Sequence, residues 1–306
     1  MIASSKASKT PAWPRVLACL LLGLTLAELV LGMFVYRSHV DDDDWDAVRE
    51  RVEAAAAEGP VLLATSWLSP SARMQLRPMR AWSSIAPPDL RTFSRFFVVG
   101  LNEAWSAELE HDREDVRPAE LVASERLGAL TLHTYEQPMA SHLVASLLEP
   151  TNELRVGDDH GPCKNSGDTW TCKAGRVQLR AVEIDYRPRR CLAVTADDGT
   201  VIRIVRDDVE LGNVLRGHVG FDDFNQRLRS DAPVEVSVAV DGTIVGRWLV
   251  SDVQGWWPFA VATPAGRHEL TITMLVSVRG TWQTRGYQPN SAHEPCIEVR
   301  AVQEPS

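Results

Sequence analysis

Val16 to Tyr36 is a predominantly apolar run of 21 residues, VLACLLLGLTLAELVLGMFVY, bounded by Arg15 and Arg37. At about 1.5 Å of rise per helical residue it is long enough to cross a hydrocarbon core of roughly 30 Å. Everything after it then lies on one side of a membrane. Lys6, Lys9 and Arg15 precede the run, and Arg37 is soon followed by the acidic block Asp41 to Asp44. That bias places the N-terminus in the cytoplasm and residues 38 to 306 outside, in the periplasm of a bacterium. The expectation is a single-pass protein with a cytoplasmic tail at 1–15 and a transmembrane anchor at 16–36. A cleaved secretory signal is the competing reading, but the run is longer than a typical signal core and no A-x-A pattern follows before the charged block.

Glu28 lies near the middle of the run, where an ionised carboxylate costs at least about 2.5 kcal/mol. It marks either a contact with a partner membrane helix or an acid outweighed by the leucines around it. Cys19, in the same run, reads as a small hydrophobic residue, because no lipobox-like end to the apolar core surrounds it.

The chain has 306 residues, 44% of them apolar, with a formal charge of −9. Residues 1–40 hold four basic groups and one acid, so the outer part alone carries −12. This field argues against nucleic acid or anionic lipid as a partner of the outer part, since both need dense positive charge. Four outer cysteines, Cys163, Cys172, Cys191 and Cys296, form an even set in a disulfide-permissive compartment. Three pairings are arithmetically possible; the pair closest in sequence, Cys163 with Cys172, would staple the polar loop PCKNSGDTWTC, and Cys191 with Cys296 would then tie an early segment of the last domain to its final strand. A zinc site is the alternative, but no C-x2-C knuckle is present.

A first outer domain is expected at 42–150. Trp45 to Glu58 has apolar residues at helical spacing, an acidic start and a Gly59-Pro60 stop. Val61 to Thr65 and Phe96 to Gly100 are short continuous apolar runs of the kind that buried strands show, and Ala129 to Tyr135 is a third strand. Helices between such strands predict a small α/β domain with a parallel sheet, whose strand ends bring Thr65, Ser66, Trp67, Gly100 and Asn102 together. No glycine-rich phosphate loop follows either strand, and no G-x-S-x-G or H-E-x-x-H is present, so no cofactor, metal or catalytic residue is assigned.

After a polar, glycine-rich connection at Val156 to Trp170, a second outer domain is expected at 158–302. Nine turn-separated strands are read there: 177–184, 191–195, 201–205, 214–219, 234–240, 243–250, 259–263, 270–278 and 296–302. Valines alternate with smaller or polar residues from Val234 to Val240, Asp241-Gly242 makes a tight turn, and Leu270, Ile272, Met274 and Val276 repeat the alternation. This predicts a mostly antiparallel sandwich.

LGNVLRGHVGFDDF at Leu211 to Phe224, VEVSVAVDGTIVGRWLV at Val234 to Val250, GWWPFAV at Gly255 to Val261 and GRHELTITMLV at Gly266 to Val276 resemble the galactose-binding-like jelly-roll family, which includes carbohydrate-binding modules. The resemblance covers about 176–302 and implies a β-sandwich whose rim loops bind sugars, with a structural calcium in some members. Asp207, Asp208, Asp222 and Asp223 are read instead as turn residues, since no EF-hand pattern surrounds them. WDAVRERVEAAAAEG, RFFVVG and RLGALTLHTYE in the first domain resemble, more weakly, the extracytoplasmic part of bacterial membrane glycosyltransferase-like proteins, although this chain has one apparent span.

An exposed aromatic ring can stack on the C–H face of a sugar while neighbouring polar groups bond its hydroxyls. Trp282, Arg285, Tyr287 and Asn290 are the preferred ligand-binding residues, with Trp256 and Trp257 beside them. Trp256 and Trp257 are adjacent, so they cannot share one face of a strand. The leading expectation is a non-catalytic, membrane-anchored accessory protein that binds a glycan or a partner protein in cell-envelope polysaccharide metabolism. The alternatives are a transferase or hydrolase acting on a glycoconjugate, using His133, Glu136 or Asp112, and an assembly subunit that contacts a membrane partner through Glu28.

Overall fold

The computed structural model describes residues 13–36, 40–63, 69–76, 90–101, 119–138, 141–184, 187–197, 199–221, 233–251, 255–276 and 294–305. The first helix, α1, is Trp13–Tyr36, 24 residues long. Its described side chains from 20 to 30 are all exposed, six leucines among them. Among the described residues no helix is both long and apolar enough to cross a membrane. The fully described part of α1 is shorter than the 21-residue run in the sequence.

Helix α2, Asp42–Glu58, starts on a capping box in which Asp41 accepts from the Asp44 amide at 3.0 Å and Asp44 accepts from the Asp41 amide at 3.1 Å. Trp45, Val48, Val52 and Ala55 form its buried stripe. Asp44 also accepts from the Ala129 amide at 2.7 Å. It packs against Gly128 so closely that a Cβ there would sit 2.0 Å from its carboxylate. The acidic block is therefore partly structural, because it starts the helix and fastens it to a turn.

That stripe covers a four-stranded sheet of order β1-β2-β4-β3, made of β1 (Val61–Leu63), β2 (Arg95–Leu101), β3 (Glu120–Leu127) and β4 (Leu130–Glu136). A short helix, α3 (Ser69–Leu76), completes the layer with Ala72 and Leu76. Only β1 and β2 run parallel, and β4 is antiparallel to both neighbours. The parallel sheet expected from sequence is corrected to a mixed one. Gly128-Ala129 leaves two residues between β3 and β4, which makes a hairpin and is too short for a parallel crossover. Of the residues expected at its strand ends, Thr65, Ser66, Trp67 and Asn102 lie outside the described residues.

The rest of the chain is a sandwich of two sheets. Its strands are β5 (His142–Ser146), β6 (Leu154–Asp158), β7 (Gly161–Pro162), β8 (Lys164–Ser166), β9 (Thr169–Thr171), β10 (Gly175–Ile184) and β11 (Arg187–Ala196). They continue as β12 (Val201–Leu211), β13 (Val214–Phe221), β14 (Val234–Val240), β15 (Thr243–Val250), β16 (Trp257–Ala262), β17 (Gly266–Val276) and β18 (Pro295–Gln303). One sheet has eight strands, ordered β16-β13-β18-β11-β10-β9-β8 with β5 also on β18, and the other six, ordered β15-β14-β17-β12-β6-β7. From β12 onward the chain crosses between sheets at every link except the β14–β15 hairpin, the route of a jelly roll. All nine sequence-read strands are present, and 142–146 and 154–158 also pair into the sandwich.

Val234, Val236, Val238 and Val240 and, opposite them, Leu270, Ile272, Met274 and Val276 are all buried in the inter-sheet core. At about 25 cal/mol per Å² of apolar area, this burial is the main favourable contribution. Asp241 and Gly242 both take positive φ, 48° and 76°, as the two-residue turn between β14 and β15 requires. Both expected disulfides are present: Cys163–Cys172 closes the β8–β9 hairpin with a Cα separation of 4.3 Å, and Cys191–Cys296 joins β11 to β18 across 105 residues.

Candidate functional site

The two ends of the sandwich differ in how they are closed. At one end the links are short: 212–213 between β12 and β13, 241–242 between β14 and β15, and 263–265 between β16 and β17. At the other end β13 leads to β14 through 222–233, β15 to β16 through 251–256, and β17 to β18 through 277–294. This long-connection end is framed by Phe221 opposite Pro295 and by Val234 opposite both Val250 and Val276. Trp282, Arg285, Tyr287 and Asn290 belong to the last connection and lie outside the described residues.

The adjacent tryptophans at the root of this end face opposite ways, as strand alternation demands. Trp257 points between the sheets, half-buried, with Trp248 edge-on at 5.7 Å, and Phe259 lies 4.6 Å from Trp248. This aromatic group closes the gap between the edge strands β15 and β16. Trp256 points to the outer face of the eight-stranded sheet and is 7% exposed. The Arg189 guanidinium lies 5.9 Å from its ring. Trp256 has no free ring face to offer a sugar.

Trp256 belongs to a second buried layer, one that the sequence did not announce. The β10–β11 hairpin keeps its register over ten pairs, yet β11 meets β18 only at Leu192 and Ala193. From Arg300 onward β5 takes that edge of β18. Ile184, near the free end of the hairpin, nevertheless reaches Gly220 on β13, where a Cβ would lie 2.7 Å from its Cδ1. Since β18 stands between β13 and β11, the hairpin must fold across the outer face of the sheet. Val182, Ile184, Cys191, Ala193, Trp256 and Cys296 pack beneath it.

The same layer buries charge. His218, Glu298, Arg300 and Arg189 are each at most 5% exposed. His218 Nδ1 donates to Glu298 at 2.5 Å, and Arg300 donates to the same carboxylate oxygen at 2.5 Å. Burial, helped by Arg189 and opposed by Glu298, pushes His218 down to about 4. Burial alone would raise Glu298, but Arg300, the hydrogen bond from His218, and Arg189 outweigh it and hold the carboxyl at about 2. The set is thus a neutral imidazole on an ionised carboxylate between two arginines, a sealed electrostatic staple with no opening to substrate among the described residues.

The α/β unit has an open cleft of about 770 Å³ lined by Glu58, Ser94, Arg95, Glu120, Glu136, Gln137 and Pro138. Arg95 is held there by Glu58 at 2.6 Å and by Glu136. His133, weighed from sequence with Glu136 and Asp112, is three residues from Glu136 on β4 and so faces away from the cleft. It is buried and bonded to the Ser124 hydroxyl at 2.8 Å, as its cross-strand partner. Asp112 lies outside the described residues. His133 and Glu136 therefore do not converge. Among the described residues no group of three or more His, Cys, Asp or Glu is placed to hold a metal.

No protein-family model and no curated protein matches the chain. Similar solved structures include the C-terminal family-6 carbohydrate-binding module of a marine laminarinase from Zobellia galactanivorans, at 13% identity and TM-score 0.26, covering 48% of this chain and 98% of that one. A family-51 module from Clostridium perfringens, solved with methyl-galactose, matches at 14% identity and TM-score 0.26 over 60% of this chain and 94% of that one. A family-6 module of Cellvibrio mixtus lichenase 5A, solved with cellotriose, matches at 11% identity and TM-score 0.27 over 54% and 99%. At such scores the likeness carries no argument about ligand or chemistry, and the jelly-roll route stands on its own strand order.

Proposed function

We propose that this chain is a non-catalytic binding protein, tethered to a membrane by α1 with its N-terminus in the cytoplasm. Its sandwich takes a glycan at the long-connection end in cell-envelope polysaccharide metabolism. The observation that carries the binding reading is the asymmetry of the sandwich: a disulfide-locked body closes tightly at one end and gathers its three long connections at the other. Binding residues are commonly carried on the connections of a rigid scaffold. Trp282 and Tyr287 supply stacking faces, and Arg285 and Asn290 bond hydroxyls. A glycan array probed with the full chain in detergent tests this: retention that falls at least tenfold in Trp282→Ala/Tyr287→Ala is expected. Absence of retention, or retention that the substitutions leave intact, removes the glycan from the reading.

The tether rests on the 21-residue apolar run from Val16 to Tyr36 in the sequence, long enough at helical rise to cross a hydrocarbon core of roughly 30 Å. Resistance to carbonate extraction is expected, and release of the intact chain would refute it. Glu28, exposed on α1, favours a membrane-protein partner as a second reading. Copurification in which Glu28→Leu loses a partner supports that reading, and an unchanged set of partners counts against it.

A further inference from the structure

We infer that the disulfide-closed β8–β9 hairpin, with the start of β10, is a second binding site, and that its ligand is an acidic polysaccharide. In the sheet order β10, β9 and β8 follow β11 away from β18, which receives the last long connection. The site therefore holds whether or not the long-connection end takes a glycan.

Residues 38–306 contain two lysines, Lys164 and Lys173, and each directly follows one cysteine of the Cys163–Cys172 link. That link holds the two cysteine Cα atoms 4.3 Å apart, so it brings the lysines to one small area. The strand register adds a third cation. Lys164 lies opposite Thr171, and Thr171 lies opposite Arg176. Residues paired across an antiparallel sheet share a face, so Lys164 and Arg176 flank Thr171, about 10 Å apart at Cα for two strand spacings. Trp170, the next residue on β9, is buried in the inter-sheet core, so this face is the outer one. Lys164, Lys173 and Arg176 are all exposed.

The three cations stand out because the arginines around them are paired. Arg180, Arg190 and Arg203 sit on Glu294, Glu149 and Asp159 at 4.0, 2.5 and 3.5 Å. Among the described residues no carboxylate pairs with Lys164, Lys173 or Arg176, although the outer part has a formal charge of −12. The buried Asp158 beside them is turned onto the His160 and Ala174 amides at 2.8 and 2.9 Å. Asp168, in the hairpin turn, accepts from the Thr151 hydroxyl at 3.2 Å, and Asp197 is exposed beyond the end of β11. Even with both exposed acids counted against the three cations, the outer face of this edge stays positive.

The rest of the face selects the kind of polymer. Thr169 and Gln178 form the next outward pair, two positions along from Thr171 and Arg176, and offer a hydroxyl and an amide to sugar hydroxyls. A nucleic acid needs denser positive charge and, when single-stranded, exposed aromatic rings, whereas the ring on β9 faces the core. Sparse cations set among hydroxyls and an amide suit a chain whose anionic groups are separated by hydroxyls.

The full chain in detergent is tested by biolayer interferometry on immobilised polygalacturonate, dextran and a single-stranded oligonucleotide. Preference for polygalacturonate is expected, with a loss of roughly tenfold or more in Lys164→Gln/Lys173→Gln/Arg176→Gln. Thr171→Glu, which sets a carboxylate between two of the cations, should weaken it as well. Lys164→Arg/Lys173→Arg and Trp282→Ala/Tyr287→Ala should both keep it. Equal retention on dextran, or retention that the triple substitution and Thr171→Glu leave intact, overturns the site. Equal retention on the oligonucleotide overturns the polysaccharide as its ligand. Loss in Trp282→Ala/Tyr287→Ala with none in the triple variant overturns this inference and leaves the glycan reading of the long-connection end standing.

Discussion

On the inner face of the eight-stranded sheet, Leu215, Val219, Ile297 and Val299 are buried against the other sheet. On the outer face of the same strands, His218, Glu298 and Arg300 are buried as deeply. The inner face is apolar because a sandwich core tolerates nothing else. The outer face keeps its charges because they satisfy one another beneath a hairpin that folds over them. Burial in this molecule therefore has two origins, alternation along a strand and coverage by a strap, and the second is tied down by Cys191–Cys296.

The largest expected effect follows from that tie. Cys191→Ser with Cys296→Ser opens a loop of 105 residues and should lower stability by about 4 to 5 kcal/mol in the chain-entropy account. Cys163→Ser with Cys172→Ser, spanning nine, should lower it by about 3 kcal/mol. Denaturant unfolding of both variants measures the gap, and equal losses would break the view that the longer link matters more. Next, Glu298→Ala leaves Arg300 buried beside His218 without its carboxylate, and a loss of roughly 3 to 5 kcal/mol is expected. On the other face Leu215→Ala should cost about 2 to 5 kcal/mol through transfer and cavity alone. Only the outer-face loss should shrink when Glu298→Gln replaces Glu298→Ala, because Gln keeps the shape and one acceptor.

Acid should separate the two faces further. A histidine held at about 4 in the fold but at its ordinary 6.5 when unfolded makes the unfolded chain take up the proton first. Stability then falls as pH drops from 6.5 towards 4. Glu298, held at about 2, contributes stability that is complete above its ordinary 4.5 and is lost as pH falls through 2. Both slopes have the same sign, so the melting temperature should decline steadily below about pH 6.5. His218→Gln should flatten the upper part of that decline, and an unchanged profile would refute the assignment.

The smallest effect lies at the exposed turn, where His268 Nδ1 meets Asp241 at 2.7 Å. That hydrogen bond raises His268 and lowers Asp241, so the pair is fully charged from above the ordinary Asp value up to the raised value of His268. Asp241→Asn should return the His268 midpoint in an NMR titration towards its ordinary value. A midpoint that stays raised would show that the turn carboxylate is not its cause.

These contrasts also explain what was legible beforehand. The Val234–Val240 strand, the Asp241-Gly242 turn and the Leu270–Val276 alternation specify a sandwich, since a period of two places every second residue in one core. Helix α2 was legible for the same kind of reason at helical spacing. The antiparallel β4 was misread because β3 was not read as a strand, and without the β3–β4 hairpin β4 looks like a parallel neighbour of β2. Strands β5 to β9 were missed because each is five residues or fewer and polar turns separate them. Glu136 was weighed for chemistry, and Arg95, seven residues after the paired prolines, gave no sign that it would be its partner. Trp256 was weighed for a ligand, yet a distant arginine covers it.

Sequence alone determined the apolar run near the N-terminus, the even set of four outer cysteines and the alternating inner core, because these depend on length, count and local periodicity. Tertiary structure alone decided that His218, Glu298, Arg300 and Arg189 would meet, and which cysteines would pair. Those outcomes depend on a strap crossing two strands and on contacts between residues more than a hundred positions apart, which no local pattern encodes.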